Sequence, residues 1–162
     1  MNEAAPAFLI ALEASAVGHA IRQSIWIYPS ANVLHVVALA LFAGAVTVLD
    51  LRLLGAFAGT RPADVIRPAR RVAVAALLLL AGTGFVLFVA EASHVAMNPV
   101  FQAKGLLIAA GVLNALVVAR LPADFDRLDA GSAIPSRLRS AAMVSIAIWL
   151  AVAAAGRLIA YV

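Results

Sequence analysis

Four long apolar runs constrain the fold of this chain more than any other feature. They extend from about Ala31 to Leu54, Val72 to Ala92, Pro99 to Ala119 and Ala141 to Tyr161. Each has the roughly 20 residues that an α-helix needs to cross a bilayer. Because lipid offers the backbone no hydrogen-bond partners, helices are the only structure that such runs can adopt there. The sequence predicts an all-α integral membrane four-helix bundle, with residues 1–162 as a single membrane domain.

The composition supports a membrane protein and limits the chemistry available to it. Hydrophobic residues make up 65% of the chain, against about 45–50% in an average soluble domain, so a soluble protein is excluded. The net charge of +4 does not indicate nucleic acid, because the arginines lie in short loops between apolar runs. The chain has no cysteine, so any metal site must use histidine, methionine or carboxylate ligands.

The amino-terminal segment is less apolar than the four runs. Residues 4–21 are interrupted by Glu13 and His19 and are followed by Arg22, Gln23 and Ser24. This pattern predicts an N-terminal interfacial helix over residues 1–24 that lies along the membrane surface. The alternative is a fifth span, which would place the amino terminus on the other side of the membrane.

The positions of the basic residues predict the orientation, since cytoplasmic loops hold an excess of lysine and arginine. The first and third loops contain most of them: Arg52, Arg61, Arg67, Arg70, Arg71, Arg120, Arg127, Arg137 and Arg139. The opposite side has only Arg22, Lys104 and Arg157. We expect a multi-pass protein of the bacterial inner (cytoplasmic) membrane with both termini outside the cytoplasm. An aromatic belt would mark its outer boundary, formed by Trp26, Tyr28, Phe101 and Tyr161.

Ionisable residues within the spans are the first candidates for function, because they are costly in lipid and tend to face the bundle interior. With the predicted topology, five of them converge on the outer leaflet: His35, Glu91, His94, Lys104 and Arg157. On the third span, Lys104 and Asn114 share one helical face. Asn114 is expected either to hydrogen-bond a neighbouring helix or to contact a ligand.

This cluster suggests a b-type haem site. His35 and His94 lie near the same depth on neighbouring antiparallel spans and would ligate the iron from opposite sides. Lys104, Arg157 or Arg22 would neutralise the propionates at the water boundary, and Glu91 and Asn114 complete the candidate site. The function expected is a membrane electron-transfer subunit, working between quinone and a periplasmic redox protein.

Other interpretations of the same residues stay open. His35 can hydrogen-bond across the bundle while Glu91, His94 and Lys104 are solvated helix ends. The protein would then be a cofactor-free anchor or partner subunit of a periplasmic enzyme, in a homo- or hetero-oligomer. A third possibility is a small-solute or ion pathway lined by Glu91, Lys104, Asn114 and Arg157. No hydrolase or nucleotide-binding motif is present, so an enzyme acting on its own is not expected.

Three further features are expected to be structural. Small residues recur along the later spans and would let helices approach closely: Gly82, Gly84, Gly111 and Gly156 with the alanines beside them. Asp50 is expected to pair with an arginine of an inner loop, while Arg52 sets orientation. Trp149 is expected to pack in the bundle interior.

Several short segments resemble an uncharacterised family of small bacterial four-helix integral membrane proteins, known as a domain of unknown function. The segments are Trp26–Pro29, Leu34–Val36, Asp50–Gly55, Asn98–Lys104, Asn114–Ala115 and Gly156–Tyr161. The resemblance implies the four-helix fold. An early histidine in the first span also looks like small haem-binding or copper-associated membrane bundles. Members of the family often have a second histidine near the end of the third helix, where this chain has Val118, Ala119 and Arg120. That departure weakens the haem hypothesis.

Overall fold

The computed structural model describes residues 5–120 and 127–158, which contain seven helices and no strand. The helices are α1 (Ala7–Glu13), α2 (Ala16–Gln23), α3 (Ile27–Leu54), α4 (Pro62–Ala90), α5 (Ala92–Met97), α6 (Pro99–Ala119) and α7 (Ser136–Leu158). Four of them, α3, α4, α6 and α7, are long and apolar enough to cross a membrane. The predicted all-α membrane bundle is confirmed, and the protein is a multi-pass membrane protein.

The spanning helices continue beyond the apolar runs at several ends. Helix α4 begins at Pro62, well before the apolar run at Val72, with proline in its first turn and Asp64 close behind. Both residues favour a helix start, and these polar turns can remain in water while the helix continues. Helix α6 has the predicted bounds. The predicted end of the last span at Tyr161, and with it that part of the aromatic belt, lies outside the described residues.

The four long helices pack in the order α4, α3, α7, α6. Helix α3 packs on α4 and on α7, and α6 packs on α7. Helices α4 and α6 are not closely packed against each other in the described part of the chain. Near the end of α4 and the start of α6, Phe88 stacks on Phe101 with ring centroids 5.8 Å apart, so the gap between the two helices lies towards the start of α4 and the end of α6.

Both arginine-containing loops meet at one end of the bundle. The backbone amide of Gly131, before α7, donates to the carbonyl of Ala58, between α3 and α4, over 2.8 Å. Below this contact lies a buried apolar cluster formed by Leu53, Ile66, Ile134, Leu138 and Ala142. We refer to this end as the arginine-rich end.

The opposite end is covered by α1 and α2, which we call the cap. The amino-terminal segment was expected to form one helix, but it breaks at Ala14 and Ser15 because Ser15 starts a new helix. The Ser15 hydroxyl accepts from the Gly18 amide over 3.1 Å, as an N-cap does. Neither helix, at 7 and 8 residues, is long enough to span a bilayer. Residues 1–4 lie outside the described part.

Candidate functional site

His35 is half-buried between α3 and α4. It is about 12 Å along the axis from the start of α3, as eight residues of helix require. Its Nδ1 lies 2.8 Å from Thr83 Oγ1 on α4. A Cβ built on the neighbouring Gly84 would lie 3.2 Å from His35 Cε1. The imidazole ring therefore occupies the space that glycine leaves.

The hydrogen bonds of Thr83 determine which nitrogen of His35 carries the proton. Thr83 Oγ1 lies 2.7 Å from the carbonyl oxygen of Leu79, which can only accept. The hydroxyl hydrogen points to that carbonyl, so Thr83 Oγ1 accepts from His35 Nδ1. A neutral His35 then has its hydrogen on Nδ1 and an unprotonated Nε2. This is the arrangement in which a second partner orients an imidazole for ligation through its other nitrogen.

Lys104, on α6, is a half-buried ionisable side chain at the same end of the bundle. The structure places it near His35. The side chain lies over Gly156 of α7, where an added Cβ would be 3.3 Å from Nζ. Arg157 follows directly and is exposed. The structure thus brings His35 and Lys104 to one region, with Arg157 at its edge.

Glu91 and His94 have a different setting. Glu91 joins α4 to α5 with a non-helical backbone conformation and an exposed side chain. His94 is exposed on the short helix α5, near Glu13 of the cap. The predicted cluster of five therefore divides into a half-buried pair, His35 with Lys104, and the exposed side chains of Glu91, His94 and Arg157.

The cap is hydrogen bonded to the end of α4 and to the start of α5. Arg22 Nη1 donates to the Ala90 carbonyl at the end of α4 over 3.0 Å. Glu13 Oε2 accepts from the Ser93 amide over 2.9 Å and from the Ser93 hydroxyl over 2.5 Å. A cation thus meets a helix carboxyl end and an anion meets a helix amino end, as the helix dipoles favour. The bonds from Ser93 hold the pKa of Glu13 below its ordinary value of 4.5.

Asn114 lies away from both groups. It is ten residues beyond Lys104, or about 15 Å along α6, and its Nδ2 donates to the Ala141 carbonyl of α7 over 3.1 Å. This is the interhelical hydrogen bond that was one of the two expectations for Asn114. Within residues 5–120 and 127–158, no group of three or more histidine or acidic side chains that could hold a metal ion is present.

A cavity of about 200 Å³ lies in the arginine-rich half of the bundle. All four long helices line it, and its wall includes Phe42, Asp50, Asn114, Ser145 and Trp149. Asp50 and Ser145 are hydrogen bonded to each other. Within the described residues, the other oxygen, Asp50 Oδ2, is buried without a hydrogen-bond partner.

A pattern in the sequence indicates this cavity, although the cavity was not predicted. Phe42, Val46 and Asp50 follow one another at steps of four and therefore lie on one face of α3. Arg52, assigned only to orientation, is in fact 1% exposed and donates to the Thr60 carbonyl over 2.7 Å. Its burial depends on the fold of the α3–α4 loop, which hydropathy does not reveal.

Trp149 packs in the interior, as expected. Its ring is 4.5 Å from that of Phe42 in an edge-to-face arrangement, and a Cβ on Gly111 would be 2.8 Å from Trp149 Cζ2. Gly84, Gly111 and Gly156 each make room for a large side chain of another helix. The small residues thus position side chains as well as allowing helices to approach.

Comparison with known proteins places the chain in a family by sequence. No curated protein and no solved structure matches it. Residues 8–162 match a family described as "Family of unknown function (DUF6644)". This match covers the cap and all four long helices, including His35, Lys104 and Asp50, and it agrees with the uncharacterised family predicted from the short segments. The chain therefore belongs to the Family of unknown function (DUF6644).

Proposed function

We propose that the protein is a membrane electron-transfer subunit that holds a b-type haem at the capped end through His35. The observation that carries the proposal is the bond between His35 Nδ1 and Thr83 Oγ1, which leaves Nε2 of a neutral ring unprotonated. Imidazole is a common axial ligand, and a fixed second partner is typical of ligating histidines. The donor chemistry of the site therefore fits haem.

The residues around His35 have defined roles in this proposal. Thr83 orients the ring, and Lys104, with Arg157 at the edge, supplies positive charge for propionates. A bound b-type haem would supply a one-electron iron couple. His94 remains the candidate for a second ligand, although it is exposed on α5 near Glu13. The electron partners would be quinone in the bilayer and a periplasmic redox protein at the cap.

The proposed orientation follows from the charges. The arginine-rich end would face the cytoplasm, as the excess of basic residues there favours. The cap would then lie on the outer surface of the inner membrane. Its exposed apolar side chains, Phe8 and Val17 among them, suit contact with lipid headgroups or with a partner protein.

The test is an ultraviolet–visible spectrum of the protein purified after expression with ample haem, recorded oxidised and then reduced. A Soret band is expected in the wild type and its loss in His35→Ala. Thr83→Val should lower haem affinity by about 10- to 100-fold, as the loss of a ligand-orienting partner does. His19→Ala is the matched control, because His19 is exposed on α2 and its replacement should leave the band unchanged.

The role of His94 is tested in the same measurement. If it is the second axial ligand, His94→Ala should shift the spectrum from a six-coordinate to a five-coordinate form. A wild-type protein without a Soret band would overturn the haem proposal. If that colourless protein carried a stoichiometric partner, the alternative of a cofactor-free anchor would be supported instead.

A further inference from the structure

The cavity in the arginine-rich half opens towards the lipid. Val74 on α4 and Leu116 on α6 both line it, and both are about half exposed, at 51% and 53%. They lie on the two long helices that are not closely packed against each other. A molecule dissolved in the bilayer can therefore reach the cavity sideways, through the gap between α4 and α6.

Asp50 gives this otherwise apolar cavity one strong polar group. The residue is 2% exposed, and the Ser145 hydroxyl orients its carboxyl group. Oδ2 has no hydrogen-bond partner among residues 5–120 and 127–158, which is rare for a buried oxygen and is costly in an apolar environment. Ionisable side chains inside membrane bundles typically mark ligand or ion pathways.

We propose that this cavity binds a small lipophilic molecule carrying one hydrogen-bond donor, either a hydroxyl or a protonated amine, which Asp50 Oδ2 accepts. Phe42 and Trp149 contact the apolar body of the ligand. A cavity of about 150 Å³ holds benzene, so about 200 Å³ suits a single substituted ring. This site lies apart from His35 and does not depend on the proposed haem.

Trp149 provides a direct reporter for this site. The chain has two tryptophans, so Trp26→Phe leaves Trp149, which lines the cavity, as the single one. The probes are 4-bromophenol, 4-bromobenzylamine and bromobenzene, which share a ring and a bromine that quenches tryptophan fluorescence on contact. 4-Bromophenol carries a hydroxyl donor, 4-bromobenzylamine carries an ammonium donor, and bromobenzene carries no donor. Quenching is titrated in detergent micelles at constant detergent concentration.

The decisive quantity is the affinity of each donor probe relative to bromobenzene, compared between variants in the same micelles. In the Trp26→Phe background, Asp50→Leu should lower this ratio by about 10- to 100-fold for the preferred donor, as loss of a hydrogen bond to a charged group does. The probe that shows the loss identifies the ligand as a hydroxyl or an amine. Asp64→Leu is the matched control, because Asp64 is exposed at the same end and should leave the ratio unchanged.

A second variant tests the cavity without touching Asp50. Ala115 lines the cavity and is exposed on α6, so Ala115→Leu should narrow the opening and weaken quenching by all three probes. Ala109→Leu places the same side chain on α6 outside the cavity wall and should have no effect. An unchanged ratio in Asp50→Leu, or unchanged quenching in Ala115→Leu, would overturn the proposal.

Discussion

At the capped end, Glu13 accepts two hydrogen bonds from Ser93 and Arg22 donates to the end of α4. At the arginine-rich end, Asp50 Oδ2 and Arg52 Nε are buried without hydrogen-bond partners in the part of the chain that the structure describes. The capped end thus uses its charges to join elements distant in the sequence. At the arginine-rich end, by contrast, a buried polar atom beside a cavity can still accept a hydrogen bond. A buried polar group without a hydrogen-bond partner is the better indication of a ligand site. A group that has all its hydrogen-bond partners is already explained by its role in the fold.

The largest effect is expected from Arg52→Ala. The substitution removes a fully buried side chain and its bond to the Thr60 carbonyl, and it should lower the free energy of unfolding by about 2–4 kcal/mol. Thermal unfolding in detergent measures the change. Arg61→Ala, at an exposed position nearby, should stay within about 0.5 kcal/mol. Equal stability of the two variants would mean that the burial of Arg52 is incidental.

The same assay separates Asp50 from Arg52. Because Asp50 has an unpartnered oxygen, Asp50→Leu should be neutral or stabilising by up to about 1 kcal/mol, as replacement of a poorly compensated buried charge often is. A stability cost as large as that of Arg52→Ala would show that Asp50 holds the fold together, and the contrast between the two ends would be lost.

An intermediate effect is expected from Gly111→Ala. The new Cβ would lie 2.8 Å from Trp149 Cζ2, and overpacking of this kind costs about 1–3 kcal/mol. Gly105→Ala on the same helix meets nothing within 4 Å and should be stabilising by about 0.5–1 kcal/mol, since alanine favours a helix. The two glycines of α6 should therefore give opposite shifts in melting temperature, and shifts of the same sign would contradict the packing of Trp149.

The smallest effect is local to the cap. Since the folded pKa of Glu13 is lowered, its contribution to docking is fully present above the unfolded value near 4.5. It is lost as pH falls through the folded pKa. The hydrogen-exchange protection factors of residues 7–23, which correct for the slowing of intrinsic exchange in acid, should fall over that acidic range in the wild type. In Glu13→Gln these protection factors should already be low at pH 7.

Glu91→Gln is the control for the cap, because Glu91 is exposed at the same junction. Its exchange should follow the wild type at every pH. Slow exchange in Glu13→Gln at pH 7 would show that apolar contacts of Leu12 and Ile21 alone hold the cap in place.

The four spans were predictable because hydropathy reports how a residue partitions into lipid, and each span has enough apolar residues to decide the outcome. Helix α6 has the expected bounds for this reason, with Asn98 as its N-cap. The early start of α4 was not predictable, because its first turns are polar. Such residues can be helical or not according to their neighbours.

The candidate site was predictable in part. His35 was identified from the cost of an ionisable group in lipid, and its partner Thr83 was missed because a threonine in an apolar run is unremarkable in sequence. Asp50 was visible in the sequence, but whether its second carboxylate oxygen finds a partner depends on where the loop arginines point. The direction in which these arginine side chains point depends on how the loops fold, and composition does not reveal it.

The hydrogen bonds between Glu13 and Ser93 join residues that are 80 positions apart, with two complete membrane crossings between them. This separation fixes an order of events during synthesis. The cap cannot close until α4 has crossed the bilayer and brought Ser93 to the same side. Until then Ile21 lacks Val89 and Ala90 of α4, against which it packs in the folded protein, so the cap closes only after the first helical hairpin has been inserted.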